Sequence, residues 1–195
     1  AKICNYVPGA GIWLNTQRPE WNDANNALVG NGTSMVTVYY LKRFLEFFKK
    51  LISKIKIDDI DISLEVLLWF NEVEKAMVTY KNINHSTISD QDRMNYVSSF
   101  GKIFENYRRK IYSKGFSTSK KLSLGKLKSF ISTICNHFDE TILINYSKKG
   151  LFDAYNTINI DSKTQSIDVK KLDVMLEGQV AGLSCKSQNS NNEVL

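Results

Sequence analysis

The sequence predicts a mostly α-helical fold with one small β-hairpin near its C-terminus. Three observations lead there. Apolar residues recur at three- and four-residue spacing through four long stretches between residues 34 and 150. After Gly150 the pattern changes to short alternating runs. Residues 1–33 hold both prolines, four of the ten glycines and two of the three tryptophans, a composition that reads as turns rather than periodic structure.

Taken in order, residues 1–33 form a loop region. Gly9, Gly11, Gly30 and Gly32 punctuate it, while Ile12, Trp13, Leu14 and Trp21 call for burial. A long loop with buried aromatics is more often functional than decorative. Residues 34–150 form a helical body. Its first helix spans about 34–57 on Met35, Val38, Leu41, Leu45, Phe48 and Ile52, with Thr33 or Ser34 as N-cap. Asp58, Asp59 and Asp61 interrupt it. The second helix, about 62–81, is apolar almost all round at Val66–Phe70. A polar turn follows, and Ser89 with Asp92 resembles a capping pair for the third helix, which ends near Gly115. Residues 117–121 read as a polar linker. Leu127, Ile131, Ile134, Phe138 and Ile142 share one face of a fourth helix that stops at Gly150. Residues 151–185 hold the hairpin (155–161 with 165–169) and a short helix over about 172–184. Residues 186–195 read as a flexible tail.

The totals exclude several classes. The chain has 195 residues, 43% hydrophobic and 24% charged, which suits one globular domain and argues against disorder. No apolar run approaches a membrane span, and the N-terminus has no signal-peptide core. Cys4, Cys135 and Cys185 are odd in number, far apart and without partner histidines, so neither a disulfide framework nor a metal site is expected. Reduced thiols suggest a cytoplasmic setting. A net charge of +6 fits nucleic-acid binding, but the cations (Lys42, Arg43, Lys49, Lys50, Lys54, Lys56, then Lys102, Arg108, Arg109, Lys110, Lys114) read first as solvated helix faces with no accompanying module. The stripe Tyr39, Tyr40, Phe44, Phe47, Phe48 reads as core. His85 reads as solvent-facing, and His137 as packing or surface.

The chemistry-bearing cluster is Arg18-Pro19-Glu20-Trp21-Asn22-Asp23-Ala24-Asn25-Asn26. Carboxylates, an aromatic ring and several amides are what a sugar site needs. The ring packs on a pyranose face, the amides and Arg18 bond hydroxyls, and a protonated carboxyl gives its proton to a leaving glycosidic oxygen. By composition alone, Asp and Asn making turns is the stronger reading.

The residue order points further. Glu20-Trp21-Asn22-Asp23-Ala24 resembles the Asp-Trp-Asn-Asp-Gly/Ala stretch of cellobiose-phosphorylase-like enzymes, and Met175-Leu176-Glu177-Gly178-Gln179-Val180-Ala181 is similar to another segment of such proteins. The close likeness covers about a fifth of the chain. It implies helical hairpins forming part of an (α/α)6 toroid, with the motif in a loop at the barrel mouth just before an inner helix. It implies that Asp23 is the general acid, with Glu20, which replaces the family's first Asp, as the alternative. Trp21 then serves as sugar platform, and Arg18, Asn22, Asn25 and Asn26 contact substrate. Glu177 is the candidate base if the reaction is hydrolysis, against a reading as a surface or capping glutamate. The expected activity is inverting cleavage of glycosidic bonds, with inorganic phosphate as co-substrate in a phosphorylase and no other cofactor.

Twelve barrel helices need about 350 residues at ordinary helix and loop lengths. The expectation is therefore a fragment of a larger catalytic domain, inactive alone, whose partners are a di- or oligosaccharide and either the remainder of the barrel or a second copy. Neither a membrane nor nucleic acid is expected. The competing reading is a non-catalytic binding or scaffold domain derived from such an enzyme.

Overall fold

The computed structural model describes residues 2–15, 23–80, 84 and 86–190. After a short 3-10 helix (Lys2–Asn5) come β1 (Tyr6–Val7), β2 (Gly11–Trp13), α1 (Asp23–Ala27), β3 (Gly32–Ser34), α2 (Met35–Ser53), β4 (Asp59–Ser63), α3 (Leu64–Thr79), α4 (Asp90–Lys114), β5 (Ser119–Ser123), α5 (Leu124–Ile144), β6 (Tyr155–Asp161), β7 (Ser166–Lys171) and α6 (Leu176–Ser190).

This is a mixed α/β fold, and it corrects the expectation of a mostly α chain of helical hairpins forming part of an (α/α)6 toroid. The C-terminal hairpin exists, but it is the edge of a five-stranded antiparallel sheet ordered β1-β2-β3-β6-β7. The Gly-rich N-terminal region supplies three of those strands. Ile12 faces Ser34, and Ser34 in turn faces Tyr155. Strands of two or three residues are too short to show alternation, so nothing local marks them. Strands β1, β2 and β3 pair in succession, and β3 in turn pairs with β6, more than a hundred residues away. The acidic break and the polar linker likewise pair with each other, Ile60 facing Leu122 and Asp61 facing Lys121.

Helix starts follow local chemistry more closely. Strand β3 ends on Ser34, whose Oγ accepts from Thr37 N at 3.0 Å and caps α2. Ser89 and Ser123 cap α4 and α5 in the same way. An unbranched hydroxyl in extended backbone reaches the third amide of the next helix and satisfies one of its orphan donors. Gly115, with φ +69°, stops α4.

The core lies where the sheet meets α2, α4 and α5. The fully buried Tyr6 ring meets Tyr96 at 5.9 Å and Phe138 at 5.2 Å, both edge-on, while Tyr96 stacks on Phe100 at 4.4 Å. Within Val66–Phe70, Phe70 is buried against Phe130, Trp69 packs on Tyr107, and Leu68 faces solvent. No helix among the described residues is long and apolar enough to cross a membrane.

Candidate functional site

The motif occupies the connection between β2 and β3, and the base of that connection is firmly tied. Leu14 N donates to Gly32 O (2.9 Å), Gly30 N to Leu14 O (2.7 Å) and Trp13 Nε1 to Gly30 O (2.9 Å). Gly32 is required there, because a Cβ would stand 2.5 Å from Leu28 Cβ. Asp23 opens α1 and is exposed; Asn25 is half-buried and Asn26 exposed. Arg18, Glu20, Trp21 and Asn22 lie outside the described residues.

A buried polar network holds the strands beneath this loop. Asn145, at the end of α5, donates from Nδ2 to Gly9 O (3.0 Å) and Thr141 O (2.8 Å). Its Oδ1 accepts from Asn156 Nδ2 (3.0 Å), which also reaches Ala10 O (2.7 Å). Thr33 Oγ1 donates to the same Ala10 carbonyl at 2.7 Å. Tyr6 donates to His137 O (2.8 Å) and meets Thr141 Oγ1 at 2.5 Å, while Gly9 N donates to that threonine. The β1–β2 turn, β3, β6 and α5 are thereby locked together, while one buried acceptor, Asn156 Oδ1, has no hydrogen-bond partner among the described residues.

The second stretch of resemblance seats on β6 and the segment before it. Tyr155, almost fully buried, donates its hydroxyl to Glu177 at 2.9 Å. Gln179 brackets the Phe152 backbone, Oε1 accepting from its N–H (2.9 Å) and Nε2 donating to its carbonyl (2.7 Å). A Cβ on Gly178 would stand 2.8 Å from Phe152 O. Glu177 is half-buried in the first turn of α6, the place of a helix-capping glutamate, and accepts from a tyrosine. Tyr155 faces Ser34 at the α2 end of β3, whereas the motif loop enters β3 at Gly32. Two residues of strand, roughly 7 Å, separate the two anchor points along the ladder.

A cavity of about 200 Å³ lies beside α6, lined by Lys42, Asp139, Tyr146, Phe152, Cys185 and Lys186 among others. Lys42 is buried, correcting its reading as a solvated cation: it bonds Glu46 at 2.5 Å and meets Asp139 at 3.2 Å. Burial works against its charge. The Glu46 hydrogen bond and the Asp139 carboxylate outweigh that and hold its pKa above the ordinary lysine value. Lys186 sits over the Tyr146 ring at 4.2 Å. His137 is buried, and burial depresses its pKa. The three thiols are buried, which pushes each up to about 11 and makes them poor nucleophiles.

The sequence did not single out Asn145, Asn156 or Tyr155. Lys42 carried a legible signal, since it falls in phase with Met35, Val38 and Tyr39 on the buried face of α2. No protein-family model matches the chain, and no curated protein matches it.

Proposed function

We propose that the chain is the acid-bearing segment of a carbohydrate-active enzyme that cleaves glycosidic bonds with inversion, by phosphorolysis or hydrolysis. One observation carries this reading. The two stretches that resemble cellobiose-phosphorylase-like enzymes are about 150 residues apart in sequence, yet they attach to neighbouring strands, β3 through the motif loop and β6 through the Tyr155–Glu177 bond. Asp23 stands exposed on a loop with a rigid base, where a carboxyl is open to substrate. In this reading Asp23 protonates the departing glycosidic oxygen while phosphate or water attacks the anomeric carbon from the opposite face. Trp21 stacks on the sugar, and Arg18, Asn22, Asn25 and Asn26 bond its hydroxyls. Glu177, with its carboxylate oriented by Tyr155, is the base if water is the nucleophile.

The test is calorimetric titration with gluco- and manno-configured disaccharides, with and without phosphate, followed by NMR of product anomers. Asp23→Asn is expected to keep binding and to lower turnover by roughly 10²- to 10⁴-fold. Glu177→Gln removes hydrolysis but spares phosphorolysis. Absence of both binding and turnover in the folded full-length enzyme overturns the proposal. Binding without turnover in that full-length wild type favours the non-catalytic binding domain.

A further inference from the structure

The cavity beside α6 is walled by Asp139 of α5, by Tyr146 and Phe152 beyond its end, and by Lys186 of α6, together with the buried Lys42 of α2. Two aromatic rings thus share one space with charges of both signs. The Tyr146 and Phe152 rings are tilted by 47° with centroids 4.7 Å apart. Lys186 Nζ stands 4.2 Å from the first centroid and 5.8 Å from the second, so one ammonium serves both rings. A ring face is electron-rich and attracts a cation, more strongly where water is partly excluded. Lys42 is engaged differently, by Glu46 at 2.5 Å and by Asp139 Oδ1 at 3.2 Å. More than half of the Asp139 side chain stays exposed. Lys42, Glu46 and Asp139 together carry one net negative charge, and the Lys186 ammonium brings the group to neutrality.

We propose that this cavity binds a small organic ammonium, whose cationic head takes the place of the Lys186 ammonium over the Tyr146 and Phe152 rings. The exchange is neutral in charge. One ammonium leaves the rings as another arrives, and Lys186, an exposed residue, carries its charge into water. An anion has no such exchange. It would enter beside Asp139 and Glu46, and the buried ammonium that could draw it already bonds to both. A neutral apolar guest forgoes the attraction of the rings and of the Asp139 carboxylate. The space of about 200 Å³ equals that of about six or seven waters of bulk liquid, which suits a methylated ammonium head with a short arm. A tethered competitor acts at an effective concentration of roughly millimolar order, so Lys186 holds the affinity down and its removal raises it. The inference is independent of the proposed catalytic reading.

Amide NMR titration of the chain with choline chloride tests it, at an ionic strength held constant with sodium chloride. The controls are butyrate and the uncharged isostere of choline, in which carbon replaces the quaternary nitrogen. Choline is expected to shift the Gly182 and Lys186 amides saturably, with an affinity about tenfold above that of the isostere. Butyrate is expected to leave them in place. Lys186→Met keeps the length of the stem without its charge, and is expected to tighten choline about tenfold. Tyr146→Leu is expected to weaken it by about the same factor. Should that variant unfold, the isostere and Lys186→Met, which leave the cavity wall intact, decide the matter. The proposal is overturned if neither the wild type nor Lys186→Met binds choline, or if the isostere binds as well. Butyrate binding in place of choline overturns it, as does a Lys186→Met variant that binds choline more weakly.

Discussion

At the residue scale, Asn145 makes the costliest contacts to lose. One side chain joins the β1–β2 turn, the end of α5 and β6, and it does so with no exposure to water. Asn145→Ala removes three hydrogen bonds and leaves the Gly9 carbonyl without this donor inside the protein. The expected loss is about 2–3 kcal/mol, read as a lower urea midpoint with unchanged slope. Because the network fixes the strands beneath the motif loop, the same variant should loosen hydrogen exchange at Gly30 and Gly32 first. Arg93 plays a similar joining part, donating from Nε to Pro8 O (3.1 Å) and from Nη1 to Ile167 O (2.7 Å), with Asp90 beside it. The guanidinium's fixed fork lets one residue satisfy carbonyls on two separate elements.

At the element scale, α6 shows how a helix of weak amphipathicity is held. It meets the body through Gly178, Ala181, Gly182 and Cys185, so its backbone lies almost against Phe152 and Ala154. Gln179 then bonds the Phe152 backbone on both sides. A Cβ at Gly182 would fall 2.4 Å from the Phe152 ring, which is itself buried and cannot step aside. Gly182→Ala is therefore expected to destabilise by about 1–3 kcal/mol through overpacking. Gly101, mid-way along α4 and facing solvent, has open space around the same virtual atom. Gly101→Ala is expected to stabilise by about 0.5–1 kcal/mol, because alanine surrenders less entropy on entering a helix. Paired thermal melts of the two variants should move in opposite directions.

At the scale of the whole molecule, buried ionisable groups set the response to pH. Burial raises the pKa of Tyr6, Tyr39 and Tyr96, and it raises each cysteine from 9.0 to about 11. All are neutral in the fold. Above about pH 9 the unfolded chain gives up these protons first and so binds fewer than the native state, and stability falls as pH rises. Lys42 acts in the same direction: its raised pKa gives stability that is full below 10.5, its unfolded value, and is lost as pH climbs through the folded one. Each such group contributes roughly 1.4 kcal/mol of loss per pH unit between its two pKa values. Urea midpoints are expected to hold between pH 7 and 8.5 and to drop steeply by pH 11, with the share of tyrosinate absorbance that belongs to the buried rings appearing together with unfolding. His137, depressed by burial, adds a smaller loss as pH falls through its unfolded value of 6.5. A flat alkaline profile would contradict the burial of these hydroxyls and thiols.

The helices were legible because their information is local. Apolar spacing of three and four residues, a serine at the N-cap and glycine after α4 lie within a few positions of the structure they specify, and α2, α3, α4 and α5 follow them. The β6–β7 hairpin was legible for the same reason, through its alternation and a turn in which Asp161 Oδ1 accepts from Lys163 N at 2.8 Å. The sequence offered Glu20–Ala24 and Met175–Ala181 as candidate chemistry, but not that the connection carrying the first enters β3 and that Glu177 of the second bonds Tyr155 on the adjoining β6. That placement, the fold class, the burial of Lys42 and the exposure of Tyr40, Phe44 and Phe47 were decided by tertiary structure alone. Strands as short as Tyr6–Val7 and Gly32–Ser34 hold no periodicity of their own. Whether an apolar or charged side chain on a two-sided helix is covered depends on which elements arrive from elsewhere in the chain.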